Sequence, residues 1–136
     1  MLFTKSELEQ AADLVHRSIP PTPQIVWPQI CETAGATVWV KHETHTPTGA
    51  FKIRGGITFI DWLQRTKPET KGIITATRGN HGQSQARAAS AAGLQATVVV
   101  PHGNSVEKMR QCEHLERPSS NLVTISMQRG SRRRGF

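Results

Sequence analysis

The sequence predicts an α/β fold of βαβ units around a parallel sheet, and three observations carry that prediction. Two short apolar runs, Gly-Ile-Ile-Thr-Ala at 72–76 and Ala-Thr-Val-Val-Val at 96–100, have the length and branching of buried strands. Between them lies an alanine-rich stretch, 80–92, stopped by Gly93 and long enough for a helix. Strand, helix and strand at that spacing require a crossover. The two strands should therefore be adjacent and parallel, joined by the helix in a right-handed connection.

The other elements follow in chain order. Ser6-Glu7-Leu8-Glu9 has the form of a capping box, and Leu8, Ala11, Ala12 and Val15 recur after it at helical spacing. That helix should end near Ile19, because Pro20, Pro21 and Pro23 cannot continue it. Thr37-Val38-Trp39-Val40-Lys41 is β-branched and aromatic enough for a strand, and residues 42–49 are turn-rich. Residues 51–64 keep one apolar face, Ile53, Ile57, Ile60 and Leu63, and read as a helix in spite of Gly55 and Gly56. Ser105-Val106-Glu107-Lys108 opens another helical pattern, which then fails.

A chain of 136 residues suffices for one modest domain, although 36% hydrophobic content is low for a fully packed α/β protein. The net charge of +7 is unevenly spread. Residues 1–108 carry eleven Lys/Arg against eight Asp/Glu, whereas residues 109–136 carry six Arg against two Glu. Ahead of the tail the positive charge is neither clustered nor interleaved with aromatics, so no nucleic-acid partner is expected. No segment approaches membrane-spanning length, and Lys5, Glu7, Glu9 and Asp13 stand where a signal peptide needs an apolar run. Cys31 and Cys112 have neither metal-like nor disulfide-framework spacing, and His42, His45 and His102 add no metal pattern. A reduced, cytoplasmic protein without a metal is expected.

The chemistry-bearing stretch is Phe51-Lys52-Ile53-Arg54-Gly55, with Thr48-Gly49 before it and Thr77-Arg78-Gly79-Asn80-His81 after it. A lysine on a turn at a helix start, followed about one βαβ unit later by a Gly-Asn-His turn, is a layout for holding an aldehyde cofactor. The amine can form a Schiff base, and the second turn brings amide donors toward a cofactor hydroxyl or a substrate carboxylate. Ser84 and Ser90, by contrast, lack a paired base for nucleophilic catalysis.

On these residues the chain resembles the fold type II pyridoxal-phosphate enzymes, and within them the threonine/serine dehydratases. Their signature, Pro-Thr-Gly-Ser-Phe-Lys-x-Arg-Gly, is matched by Pro47-Thr48-Gly49-Ala50-Phe51-Lys52-Ile53-Arg54-Gly55, with Ala50 the one departure. The resemblance runs from Ile19 to Lys108. It implies a partial tryptophan-synthase-β-like domain, pyridoxal 5'-phosphate as cofactor, and deamination of threonine, serine or a related 3-hydroxy amino acid to a 2-oxo acid and ammonia. β-Replacement and racemisation occur in the same fold. A non-enzymatic basic fragment that binds acidic partners is the reading from a different class. Full-length relatives are expected to be homo-oligomers.

The resemblance also assigns roles. Lys52 forms the Schiff base and takes the α-proton of the substrate. Phe51 packs on a face of the cofactor ring, the alternative being an ordinary core aromatic. Asn80 bonds the ring hydroxyl, caps the helix that follows, or does both. Thr77, Gly79 and His81 belong to the loop that embraces the substrate carboxylate at a helix N-terminus. Arg78 replaces a small residue of that loop and either adds a carboxylate contact or faces solvent. The family's glycine-rich phosphate cup lies downstream of the matching stretch.

Residues 1–108 therefore read as the N-terminal part of a dehydratase domain, and 109–136 as a basic tail with no amphipathic period that ends in Arg132-Arg133-Arg134. One base missing after the codon for Lys108 accounts for the arginines, the lost period and the stop together. Restoring it permits Ser-Val-Glu-Lys-Asn-Ala-Ala-Met-Arg-Ala-Leu-Gly-Ala, a helix ending in glycine. A genuine solvated tail is the alternative. The out-of-frame reading predicts poor packing and little regular structure from Met109 to Phe136, beyond a short continuation of the Ser105 helix, and an inactive chain.

Overall fold

The structure is a computed structural model that describes residues 3–77, 79–101 and, for their backbone, 123–128. The chain divides into two compact units, Met1–Phe51 and Lys52–Phe136.

The first unit opens with α1 (Lys5–His16). Its N-cap is Thr4, two residues ahead of the serine that the sequence suggests. The Thr4 hydroxyl accepts the Glu7 N–H at 3.2 Å, and the Glu7 carboxylate accepts from the Thr4 N–H at 2.6 Å. Thr4 and Glu7 make both reciprocal bonds of a capping box, whereas Ser6 and Glu9, at the same spacing, both lie inside the helix. Strand β1 (Gln24–Val26) pairs antiparallel with β2 (Trp39–Lys41), a shorter strand than the five residues predicted. Between them lies α2 (Pro28–Ala34), which the proline-rich reading of this region missed. Pro28 sits where its absent N–H costs nothing, and Gly35, at φ 62°, closes the helix. A 3₁₀ turn, Glu43–His45, follows β2. There Glu43 accepts the Thr22 hydroxyl at 2.7 Å and lies 3.8 Å from the Lys41 ammonium.

The second unit contains the predicted crossover. It runs α3 (Lys52–Thr66), β3 (Gly72–Ala76), α4 (Asn80–Ala91) and β4 (Gln95–Pro101). Strands β3 and β4 are adjacent and parallel, with Gly72 opposite Gln95 and Ala76 opposite Val99. β4 alternates, Ala96, Val98 and Val100 being buried while Thr97 and Val99 are half-buried. Its buried residues meet Ala86, Ala88 and Ala89 of α4 and Ile60 and Leu63 of α3 in one core. Alanine suits this layer because a helix with methyl side chains lies close to a sheet. The opposite face is open at Ile74, which is 74% exposed.

A fifth strand lies within the stretch read as a basic tail. β5 (Val123–Gln128) pairs parallel with β4 from Ala96↔Val123 to Pro101↔Gln128, in the sheet order β3-β4-β5. The Leu-Val-Thr-Ile-Ser-Met run that holds it has the β-branching a strand requires, a local signal that the arginine-rich surroundings obscured. The expected helix opening at Ser105 lies outside the described residues.

Candidate active site

Lys52 follows a turn closed by local hydrogen bonds. The buried Thr46 hydroxyl donates to the Ala50 carbonyl at 2.8 Å and accepts the Ala50 N–H at 2.9 Å. The Gly49 N–H reaches the Thr46 carbonyl at 2.9 Å, and Gly49 itself has φ 64°, a conformation that glycine adopts without strain. Thr46 was not singled out from the sequence. The Thr-Pro-Thr-Gly order, with proline and glycine at turn positions, was the available signal.

Lys52 is the first residue of α3, and Asn80 the first of α4. The two helices run parallel and in step. A Cβ on Gly56 would meet the Ser84 carbonyl oxygen, and the Gln64 amide donates to the Ala92 carbonyl at 3.3 Å. Both contacts join residues 28 positions apart, the same offset that separates Lys52 from Asn80. That register sets the two helix starts level, each one turn beyond the Gly56–Ser84 crossing. Since α4 follows β3, both starts lie at the carboxyl edge of the parallel strands, where α/β sheets carry their ligand crevices.

The connection from β3 to α4 belongs to the same edge. The Thr77 N–H bonds the Val99 carbonyl at 3.0 Å, and its hydroxyl accepts the Gly79 N–H at 3.1 Å. Gly79 is the N-cap and supplies no side-chain cap bond. Asn80 is thus inside the helix, which corrects the reading of it as a cap. Lys52, Asn80 and His81 are exposed, and Thr77 and Gly79 are half-buried. The Ser84 hydroxyl, fully buried, returns to the Asn80 carbonyl at 2.8 Å. Phe51, the last residue of the first unit, is 57% exposed, which removes its reading as a core aromatic. Arg78 lies outside the described residues. Among those described, no cluster of His, Cys, Asp or Glu is arranged to hold a metal, and no helix is long and apolar enough to cross a membrane.

A parallel sheet with two helix starts level at its carboxyl edge is the arrangement of α/β proteins that carry a ligand crevice there. Residues 15–125 match the family of pyridoxal-phosphate dependent enzymes, and the chain belongs to that family. It is 33% identical over 102 residues to the L-threonine ammonia-lyase of Geobacter sulfurreducens, a match covering 75% of this chain and 25% of that protein. To the serine racemase of Mus musculus it is 36% identical over 98 residues, 71% of this chain and 29% of that one. Among solved structures, a pyridoxal 5'-phosphate-dependent aspartate racemase superposes with a TM-score of 0.81 at 27% identity, over 93% of this chain and 38% of the racemase. The serine racemase of Dictyostelium discoideum gives 0.77 at 27%, over 91% and 38%. The chain thus spans between a quarter and a third of the length of these two curated relatives.

Proposed function

We propose that this chain carries the lysine helix and the substrate-carboxylate loop of a pyridoxal-phosphate-dependent ammonia-lyase acting on threonine, serine or a related 3-hydroxy amino acid. The observation that supports it best is the level register of α3 and α4, which starts a lysine and an asparagine side by side at the carboxyl edge of the sheet. The donor set fits the cofactor in part: an exposed primary amine, a neutral amide one helix away, and two helix N-termini whose N–H groups and dipoles favour an anion.

When bound, the cofactor supplies an aldehyde for an amine and a ring that accepts an electron pair. In this reading Lys52 would hold the cofactor through its aldehyde and would move a proton at the substrate Cα. Asn80 donates to the ring hydroxyl. Thr77, Gly79 and His81 bind and orient the substrate carboxylate, with Arg78 beside them. Phe51 is given a ring face on the resemblance alone. A racemase of the same fold is the second reading, favoured by the serine racemase relative and the aspartate racemase neighbour. A reduced, cytoplasmic setting and homo-oligomeric full-length relatives belong to the same proposal.

The chain as written should not turn over threonine or serine. No glycine-rich phosphate cup follows the Asn80 loop among the described residues, and an unanchored ring forfeits the effective molarity worth roughly 7–11 kcal/mol of barrier. The test compares cofactor-dependent 2-oxo acid release by this chain, by a longer version with one base restored after the Lys108 codon, and by that version with Lys52→Ala. Activity is expected only in the second. Turnover by the 136-residue chain above the free-cofactor background would overturn the fragment reading. An active Lys52→Ala protein would overturn the assignment of the lysine. Strand β5 counts against a wholly unstructured tail, and the DNA sequence across codon 108 decides the frame.

A further inference from the structure

We infer that Gly56 is a positioning residue: the absence of a side chain there sets the spacing between Lys52 and Asn80. The inference rests on the proposed site and adds to it a residue that touches neither cofactor nor substrate. A Cβ built on Gly56 stands 2.8 Å from the Ser84 carbonyl oxygen, 3.2 Å from its carbon and 3.4 Å from the Ala88 Cβ. The nearest of these is backbone, so no rotamer change relieves the contact. Ordinary contact begins at 3.4 Å, and an added methyl must therefore drive the helices apart by about half an ångström at this point.

The displacement falls on α3, because α4 is held from its other side. A Cβ on Gly82 would lie 2.5 Å from the Thr77 Cγ2 and 2.9 Å from the Val98 Cγ1, so the first turns of α4 already rest against the sheet and the Thr77 loop. Gly56 is one turn from Lys52, and Ser84 is one turn from Asn80, about 6 Å of rise on each helix. At that range little of the movement is absorbed before it reaches the lysine. The far end of the pair is tied separately by Gln64 and Ala92, so α3 would pivot rather than slide. Gly55 is the matched control, since it neighbours Gly56 on the same helix and nothing lies within 4 Å of a Cβ built there.

The wild-type chain, Gly55→Ala and Gly56→Ala are each exposed to limiting pyridoxal 5'-phosphate and then to borohydride, which fixes a pyridoxyl group on every lysine reached. Trimethylamine N-oxide is present throughout to favour the compact state. Peptide mass spectrometry compares Lys52 with the exposed Lys67 and Lys71 of the same molecule, and circular dichroism records helicity. Labelling will be weak but selective for Lys52 in the wild type and in Gly55→Ala. In Gly56→Ala, at equal helicity, the preference should fall about tenfold or more, as expected for a sub-ångström error in reacting geometry. A preference that survives Gly56→Ala overturns this inference alone. The absence of any Lys52 preference in the wild type overturns the cofactor reading, and this inference with it. A Gly56→Ala chain that stays unfolded would show that the glycine serves the fold, and that too overturns the positioning role.

Discussion

Thr4 and Glu7 hold one another through reciprocal bonds at the start of α1, and the carboxylate takes both the N–H and the hydroxyl of Thr4. Those two bonds, the backbone one first, pull the Glu7 carboxyl below its ordinary pKa. A carboxyl with a lowered folded value is stabilising above its unfolded pKa and loses that contribution as pH falls through the folded one. The first turn of α1 should therefore fray on acidification below the ordinary glutamate range, as followed by amide shifts of residues 5–8. Glu7→Gln should abolish that pH dependence. Thr4→Ala removes the cap at every pH and should cost about 1 kcal/mol. At the site, the significance of Lys52 was legible from its flanking motif.

At the scale of elements, α2 and α4 end on the same device. After α4 the Gly93 N–H bonds Ser90 and the Leu94 N–H bonds Ala89, with Gly93 at φ 73° and Leu94 buried behind it. This is a Schellman closure, and a side chain in the left-handed region costs about 1–2 kcal/mol. Gly93→Ala should lower stability by roughly that amount in a denaturant melt. Gly55→Ala, in open space within a helix, should raise it by about 0.4–1 kcal/mol. The pattern 72–101 was legible because apolar runs, an alanine-rich helix and a glycine stop all gave the same answer. β1 and α2 were not, because three-residue strands have no period to read and the neighbouring prolines suggested only a break. The start of α1 was misplaced by two residues, because Thr4–Glu7 and Ser6–Glu9 have the same capping-box spacing and the sequence does not choose between them. The level register of α3 and α4 was beyond sequence reasoning altogether. It depends on a backbone approach at Gly56, and Gly55 beside it looks identical in the sequence.

At the scale of the whole molecule, the three-stranded sheet packs α4 on one face and leaves Ile74 open on the other. Parallel sheets are ordinarily covered on both sides. Ile74→Thr should change stability by no more than about 0.5 kcal/mol while reducing the binding of a hydrophobic dye. A loss well beyond that would mean the residue is packed in solution. Among the described residues, the core on the covered side draws its buried members from the stretch between Ile60 and Val100. Such a core closes on itself over a short length of chain, with little loop entropy to overcome. During synthesis, α3, β3, α4 and β4 can therefore come together as soon as residue 101 has left the ribosome. The helix pair that levels Lys52 with Asn80 is then assembled before β5 has a sheet edge to find.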